Sequence, residues 1–284
     1  MAARKPPTER QRRLGVELRR MRERAGLPLA EAAALHGVDK TTISNTESAR
    51  FGVSPDRVRV WASNYACSDA PYVDALAAMA RERPGGNWWD ECRDAVAPAM
   101  LDLAELEHHA TALRHVQITH LPGLLQHPDY ARASFLEALP PLKDEEIEQR
   151  IAFRVRRQGI LDRPEAPECS FLVHEAALRM HFGGRAVIRT QLAHMLKQAD
   201  REQVTIRVIP FEAGGFTSVA GSTLYACGPV AMLDTVQIDV SNGMTFLYAE
   251  TDLVNYRVLL ARMQDRSLDP DRSRDFIREV LQEL

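Results

Sequence analysis

Residues 40–45 carry the side chains of this sequence that are best suited to recognition chemistry. These residues carry amine, hydroxyl and amide groups, mostly on short side chains. They are Lys40, Thr41, Thr42, Ser44 and Asn45. Such groups donate to and accept from base edges in the major groove of DNA, where each base pair shows a distinct pattern. We therefore expect these residues to contact base edges, provided that a helix holds them on one outward surface.

Other reactive residue types lack the spacing that catalysis or metal binding requires. His174 and Glu175 begin like the HExxH zinc signature, but Leu178 stands where the second histidine must be. Four cysteines are spread widely without a CxxC pair, namely Cys67, Cys92, Cys169 and Cys227. We expect free thiols and no metal, no cofactor and no enzymatic activity.

Adjacent histidines at 108 and 109 are a weaker metal candidate. On a helix they would point about 100 degrees apart, so they could not easily face one ion. We expect them to form a solvated helix face together with Glu105 and Glu107. The glycine pairs at 183–184 and 214–215 lack the surrounding residues of a phosphate-binding loop, so we expect turns there.

Length and composition indicate an ordinary globular protein with two domains. The chain has 284 residues, of which 45% are hydrophobic, and it has a net charge of -3. Residues 1–83 contain 15 Lys and Arg against 10 Asp and Glu, a net charge of +5 that leaves -8 for the remainder. The positive end is where nucleic acid is expected to bind. No apolar run is long enough for a membrane span, so we expect a cytoplasmic protein.

The elements that must position residues 40–45 are helices. Residues 9–25 form one predicted helix, with Leu14, Leu18 and Met21 on its apolar face and Thr8 as its cap. Its other faces carry arginines that we expect to help hold phosphates, namely Arg10, Arg12, Arg13, Arg19, Arg20, Arg22 and Arg24. Further helices are predicted at 29–35, at 40–47, from Pro55, and at 70–82. These make a five-helix, all-α domain.

The turn between the second and third helices has residues that favour a turn and a helix cap. Gly37 supplies the turn, Asp39 can cap the third helix, and Val38 and Ile43 are its expected inward anchors. The segments LGVELRRMRERAG and LAEAAALHGVDKTTISNTES resemble the Xre family of helix-turn-helix regulators, which is related to the phage repressors and Cro. The resemblance implies that Lys40, Thr41 and Asn45 contact bases, with Thr42 and Ser44 nearby.

Two departures from the Xre pattern change the expected backbone contacts. Pro28 and Leu29 stand where that family usually has Thr-Gln, so a phosphate-gripping glutamine is missing. Thr46 and Ala49 occupy positions where an apolar residue and a glycine are common. We therefore assign the phosphate contacts to arginines near the motif, namely Arg19, Arg50 and Arg57.

The second domain is predicted to be α+β and built on one mixed or antiparallel sheet. Proline and adjacent glycines at 83–87 mark the break, which gives domains 1–83 and 88–284 with a linker at 84–87. Strands are predicted at 115–120, 169–174, 204–210, 222–226, 236–240 and 245–248. Helices are predicted at 88–97, 101–112, 129–138, 144–161, 176–181, 185–200 and 269–284.

Two features of this domain have competing interpretations. The helix at 144–161 carries Arg150, Arg154, Arg156 and Arg157, for which we favour a salt-bridged surface over binding of acidic groups from a partner or effector. For residues 121–125 we favour a structural turn with core leucines over a partner contact.

A resemblance covers nearly all of the second domain. The blocks LPGLLQHPDYARASF, RVRRQGILDRPEAPECSFLVHEAALRMHFGG and QLAHMLKQADREQVTIRVIPFEAGG are similar to the uncharacterised domain that follows the Xre motif in actinomycete regulators, including WhiJ-like ones. The resemblance implies a transcription regulator, often paired with a small BldB-like partner protein. It does not identify a ligand.

These observations predict a regulator that binds double-stranded DNA as a homodimer, because one helix reads too few base pairs for useful discrimination. The second domain is expected to control activity through dimerisation and the partner. The alternatives are a small-molecule sensor with an effector pocket in that domain and an antitoxin-like adaptor that sequesters a partner.

Overall fold

The computed structural model describes residues 6–82, 85–215, 222–240 and 243–284. The chain forms two compact units, Met1–Asp90 and Glu91–Leu284. Part of the linker predicted at 84–87, namely Pro84, lies outside the described residues. Among the described residues, no helix has both the length and the apolar character needed to cross a membrane.

The first unit is a helical domain in which the five predicted helices are all present. Their bounds are α1 Glu9–Arg24, α2 Leu29–His36, α3 Lys40–Glu47, α4 Pro55–Asn64 and α5 Ala70–Arg81. A helix-turn-helix arises because α2 ends at Gly37, which adopts the left-handed conformation with φ 62°, and Asp39 then caps α3. The predicted all-α fold of this unit is confirmed.

Local sequence signals explain where these helices begin. The Thr8 side chain accepts from the backbone of Gln11, whose own side chain accepts in return, so α1 starts with a capping box. Ser54 caps α4 in front of Pro55. Pro28 is the N-cap residue of α2 and lies one position before the helix.

A glycine sets the distance between α1 and the third helix. A β-carbon built at Gly15 would lie 2.5 Å from the backbone oxygen of Glu47, closer than real β-carbons approach. The backbone of α1 therefore touches the carboxyl end of α3 directly. Buried side chains complete this core, including Leu18, Ile43, Trp61 and Leu76.

The second unit is an α+β domain on one six-stranded sheet. Its strands are β1 Ala112–Gln117, β2 Glu168–His174, β3 Val204–Ile209, β4 Thr223–Cys227, β5 Thr235–Val240 and β6 Gly243–Leu247. Its helices are α6 Pro98–His109, α7 Pro128–Leu136, α8 Asp144–Gln158, α9 Glu175–Arg179, α10 Arg185–Gln198, α11 Glu250–Asp265 and α12 Pro270–Glu283. Short 3-10 helices occur at Trp88–Cys92, Gly123–Leu125, Gly159–Asp162, Phe211–Ala213 and Ala231–Leu233.

The sheet is mixed, as predicted. Its order is β3-β2-β1-β4-β5-β6, with β1, β2 and β3 parallel and the β1-β4, β4-β5 and β5-β6 pairs antiparallel. The parallel half follows from the long helical connections between its strands, while the antiparallel half has short ones. The predicted fold class is therefore confirmed for both domains.

The two faces of the sheet are covered unequally. One face packs Leu113, Phe171 and Val208 against a large helical layer that includes Leu192 of α10 and Ile277 of α12. The other face packs a smaller cluster against α11, in which the buried residues are Val116, Leu172, Ile209, Tyr225, Val236, Leu253, Leu260 and Met263. Since side chains alternate along a strand, each strand contributes to both layers.

Several element predictions differ from the structure. The strand predicted at 115–120 lies at Ala112–Gln117 and the helix predicted at 101–112 lies at Pro98–His109, so both lie three residues nearer the N-terminus. Residues 88–92 form a 3-10 helix, and the α-helix predicted to continue to 97 is absent from these described residues. The helix predicted at 144–161 ends at Gln158 and continues as a 3-10 helix. Helix α11 was not predicted, because Val254 and Val258 are exposed on its outer face and blur the stripe formed by Leu253 and Leu260.

Replacing Gly15 tests the close contact between α1 and α3. Gly15→Ala should lower the free energy of unfolding of the first unit by about 1 to 3 kcal/mol, because the added methyl group meets backbone that must shift. Urea unfolding followed by tryptophan fluorescence measures this, since all three tryptophans lie in the first unit. Gly52→Ala is the matched control, because nothing lies within 4 Å of its added carbon; equal effects of both variants would refute the contact.

Candidate functional site

The outward surface of α3 carries the predicted recognition residues. Lys40, Thr41 and Ser44 are exposed, and Thr42 and Asn45 are half-buried at the edge of the same surface. Ile43 faces inward and is fully buried. The structure thus brings the predicted residues together on one short helix with small side chains, which allows a close approach to a major groove.

Thr42 also has a structural role at the start of this helix. Its backbone N–H donates to Asp39 at 2.7 Å, and its hydroxyl donates to the other carboxylate oxygen at 3.0 Å. These bonds stabilise the ionised carboxylate and lower the pKa of Asp39. The hydroxyl proton of Thr42 is therefore used in the cap, so this residue can only accept from a base.

A buried ion pair fixes the far end of α3. Arg22 of α1 donates from Nε to Glu47 Oε1 at 2.6 Å and from Nη2 to Oε2 at 2.9 Å. Its remaining donor Nη1 reaches the backbone oxygen of Leu27 at 2.8 Å. The Arg22 guanidinium therefore joins the first helix, the segment before α2 and the end of α3.

A second buried carboxylate organises the opposite side of α1. Glu17 accepts from the hydroxyl of Tyr72 at 2.6 Å and from Arg20 at 2.6 Å, and the Nε of Arg13 lies 3.1 Å from it. This arrangement corrects the prediction that the whole set of α1 arginines coats a phosphate-binding surface. Arg13 and Arg22 are buried, because each is the partner of a buried acid.

The three predicted phosphate-contacting arginines remain at the surface. Arg19 is exposed and pairs with Glu23 one helical turn away at 2.6 Å. Arg50 is exposed just beyond α3, and Arg57 is exposed near the start of α4 with its guanidinium 5.6 Å from the centre of the Trp61 ring. An exposed pair such as Arg19–Glu23 contributes little to stability, so its guanidinium can exchange the carboxylate for a phosphate.

The two unusual residues at the end of α3 have clear structural consequences. Thr46 is buried, and its hydroxyl donates to the backbone oxygen of Thr42 at 2.8 Å, which satisfies a polar group at a position that is usually apolar. Ala49 adopts the left-handed conformation with φ 57°. An L residue in this conformation costs roughly 1 to 2 kcal/mol relative to glycine.

An aromatic cluster lies at the end of α2. The ring of His36 stacks on Trp61 with centroids 4.8 Å apart and meets Tyr65 edge-on at 5.0 Å. The pKa of His36 is lowered, first by burial and then by the positive charge of Arg57. His36 is therefore a neutral packing residue in the folded unit.

Charged residues in the second unit are less solvated than predicted. Glu107, expected on a solvated face, is buried with its Oε2 2.9 Å from the Nε of Arg157, which is also buried. Only Arg156 fits the predicted salt-bridged surface clearly, since it is exposed and donates to Glu91 at 2.7 Å. Sequence reasoning missed Glu107 because its partner is fifty residues away along the chain.

Family comparisons agree with this division of the chain. Residues 100–279, more than half of the chain, match the model described as "Domain of unknown function (DUF5753)". The chain belongs to the DUF5753 family. Residues 13–74 of this DUF5753 protein match the model of a helix-turn-helix domain, the class of domain that binds DNA. No curated protein and no solved structure matches the chain significantly.

The helix-turn-helix match covers the residues described above. It spans α2 and α3 together with the buried pairs of Arg22 and Glu17, so the geometry that orients α3 lies inside the matched domain. The DUF5753 match begins in α6 and ends in α12, and it therefore includes the whole six-stranded sheet. The chain thus combines a DNA-binding domain with a larger DUF5753 domain.

Breaking the buried pair tests how α3 is held. Glu47→Gln should lower the free energy of unfolding of the first unit by about 3 to 5 kcal/mol, because the Arg22 charge stays buried without its partner. The double variant Arg22→Met, Glu47→Leu should recover most of this loss. Urea unfolding followed by tryptophan fluorescence measures both, and Arg19→Gln at an exposed pair is the control, expected to change stability by less than about 1 kcal/mol.

The neutral state of His36 predicts a dependence of stability on pH. Because the pKa of His36 is lowered on folding, its contribution is present above the unfolded value of about 6.5 and is lost as pH falls below it. The midpoint of thermal unfolding of the first unit, followed by tryptophan fluorescence from about pH 7.5 to about pH 5.0, should therefore fall as the pH falls. The decline should be smaller in His36→Phe, and an identical pH profile in that variant would contradict the assignment.

Proposed function

We propose that this chain is a sequence-specific transcription regulator of the Xre type that reads DNA with α3. The observation that carries the proposal is the outward surface of α3, where Lys40, Thr41, Ser44 and Asn45 stand on a helix whose other face is buried. The helix-turn-helix match supports DNA binding by this unit. The proposal includes the contacts of individual α3 side chains with base edges.

The contacts divide into two kinds with different consequences. Lys40, Thr41 and Asn45 would contact base edges, with Ser44 nearby and Thr42 limited to accepting. Exposed arginines would hold the backbone, and these are Arg19, Arg50 and Arg57. Base contacts determine sequence preference, whereas phosphate contacts determine affinity and its dependence on salt.

A rigid mounting of α3 supports sequence-specific reading. The Arg22–Glu47 pair and the backbone contact at Gly15 hold the end of α3 against α1. The Asp39 cap holds its start. Because both ends are fixed, the side chains of α3 keep one geometry, and mismatched bases are not accommodated by a shift of the helix.

We propose further that the protein acts as a homodimer in the cytoplasm. A single helix contacts only a few base pairs, and each good base contact contributes roughly 1 to 3 kcal/mol, so two half-sites are required for useful discrimination in a genome. The DUF5753 unit, which has its own hydrophobic cores, would supply the dimer contact. The resemblance to WhiJ-like regulators adds a small BldB-like protein as a candidate partner.

A second candidate for control is a small ligand. The observation that favours it is a polar cavity inside the DUF5753 unit, lined by Arg154, Arg157, His115 and Glu107. A buried core without polar groups would have argued against such a sensor. We therefore propose two ways in which DNA binding could be controlled, by a small ligand in this cavity or by a partner protein.

Replacing Asn45 tests the base-reading role. Asn45→Ala should change the sequences enriched from a pool of random duplexes and should reduce affinity for the preferred site by about 10-fold or more. Selection followed by sequencing gives the preference, and fluorescence anisotropy gives the affinity. Equal losses on the preferred site and on a scrambled duplex would refute the assignment.

Arg19 tests the phosphate contacts in the same assay. Arg19→Ala should weaken binding to all duplexes alike and lower the slope of log affinity against log salt by about 1. Arg59→Ala is the matched control, since Arg59 is an exposed arginine paired with Asp74 at 2.7 Å and was not assigned to DNA. Loss of sequence preference in Arg19→Ala would contradict the division into two kinds of contact.

A further inference from the structure

The second unit contains a polar cavity of about 210 Å³ that is open on one side. Its floor is the sheet face that carries the larger core, at strands β1, β4 and β5. Its walls are α6, α8 and the segment around Gly123. The cavity thus lies entirely within one unit, and these five regular elements and a short 3-10 helix form most of it.

Polar residues replace apolar ones where the sheet forms the floor. On β2 and β3 this face carries Phe171, Val173 and Val208, all fully buried. On β1 and β5 the corresponding inward positions are His115 and Gln237, which lie in one cross-strand row on either side of Leu224. Both are buried. Because burying polar groups is unfavourable unless they have partners, this local change in composition indicates a site rather than core packing.

The buried charges in the cavity do not balance. Arg154 and Arg157 face it from α8, and Glu107 faces it from α6. Asp239 also lines the cavity, but it is exposed and accepts from Gln237 at 2.7 Å, so it belongs to the rim. Among the described lining residues, two guanidinium groups therefore face one buried carboxylate, while Asp239 acts on Arg154 from the rim.

Several of these buried polar atoms have no hydrogen-bond partner among the residues that the structure describes. They are Arg154 Nε, Arg157 Nε, both carboxylate oxygens of Glu107 and His115 Nε2. The Arg157 Nε and a Glu107 oxygen are 2.9 Å apart, but the N–H is not aligned for a hydrogen bond. Four side chains of this interior thus retain donors and acceptors that a bound molecule could use.

Electrostatics agree with an unfilled site for a negative charge. Burial raises the pKa of Glu107 to about 7, against the opposing effect of Arg157. The pKa of Arg154 is lowered to about 9, first by burial and then by the like charge of Arg157. Both shifts arise because charged groups are taken out of water without complete compensation. For Arg154, an anion bound beside the arginines would supply that compensation.

The arginines are held in place before any ligand arrives. A β-carbon at Gly123 would lie 2.6 Å from Nη2 of Arg157, so glycine makes room for that guanidinium. Arg154 donates to the side chain of Gln126, and its guanidinium lies 4.7 Å from the centre of the Phe135 ring. Such fixed groups bind with little loss of conformational entropy.

We propose that this cavity binds a small oxyanion, a carboxylate or a phosphate, between Arg154 and Arg157. Guanidinium groups match both oxyanions because their planar donors bind two oxygens at once. Glu107 would accept from a hydroxyl group of the same molecule, so the site favours a hydroxylated anion. The volume of about 210 Å³ suits a small molecule.

A role for this ligand in controlling DNA binding rests on the proposed function. Binding of the ligand to the cavity does not depend on that function. Helix α8 carries both arginines, and its Arg156 pairs with Glu91 at the start of the DUF5753 unit. If the protein is a regulator, occupancy of the cavity should change DNA affinity, and DNA should change ligand affinity by the same factor.

The test uses the full-length protein and three probes, namely inorganic phosphate, acetate and L-malate, with glycerol as a neutral control. Isothermal titration calorimetry should show saturable binding of at least one anion, with L-malate bound more tightly than acetate because of its hydroxyl group and second carboxylate. Arg154→Gln should weaken that binding by at least about tenfold, because it removes a charged donor without breaking the Arg157–Glu107 pair.

Arg156→Gln is the matched control, being an exposed arginine on the same helix. It should bind the anions as the wild type does, which separates the cavity from general attraction of anions to α8. Failure of the wild type to bind any of the three anions, or equal binding by wild type and Arg154→Gln, would overturn the proposal. Circular dichroism spectra of the variants confirm that each remains folded, so a loss of binding is not a loss of fold.

DNA binding is measured in the same preparations but without the probes. A protein that binds DNA and no anion would refute the cavity ligand and leave the proposed regulator intact. A protein that binds an anion and no DNA would support the cavity ligand and refute the regulator. The two failures are therefore distinguishable.

Discussion

Both units of this protein depend on the requirement that a buried charge must have a partner. In the first unit Arg22 and Glu47 meet that requirement with two parallel hydrogen bonds, and the spare donor of the arginine reaches Leu27. The pair joins segments that are far apart in sequence, so the position of α3 follows from it. In the DUF5753 unit Arg157 and Glu107 are in contact without an aligned hydrogen bond, and Arg154 adds another positive charge. A buried ion pair whose donors and acceptors are all hydrogen-bonded stabilises one arrangement of the helices. A buried pair with unsatisfied donors and acceptors can still bind a ligand.

Sequence periodicity was sufficient to predict most regular elements. Six strands were predicted and six are present in the described residues, because short runs of apolar and β-branched residues lie between turn-forming segments. The helix-turn-helix was predictable because its punctuation is local: Gly37 and Asp39 act within a few residues of their own positions. Helix α11 was missed, since its exposed valines gave it an apolar outer surface that periodicity alone does not distinguish from a core.

The features that sequence could not supply all depend on pairing between distant residues. An arginine on an amphipathic helix looks the same whether it is solvated, as Arg19 is, or buried against an acid, as Arg22 is. The cavity requires the strand order, because β1 and β5 approach each other only through β4. One signal was nevertheless present in the sequence. His115 and Gln237 are polar residues on the sheet face that is apolar on β2 and β3, and such interruptions indicate functional sites.

The left-handed alanine after α3 has a consequence for how such a protein could change over generations. Ala49 carries backbone strain at the point where the chain leaves α3, and a glycine there would remove the strain without altering any side chain on the outward surface of α3. Alanine and glycine codons differ by a single base. A lineage that acquired new residues on this surface could therefore offset their destabilising effects in one mutational step, and Ala49 makes α3 more evolvable than its packing alone would suggest.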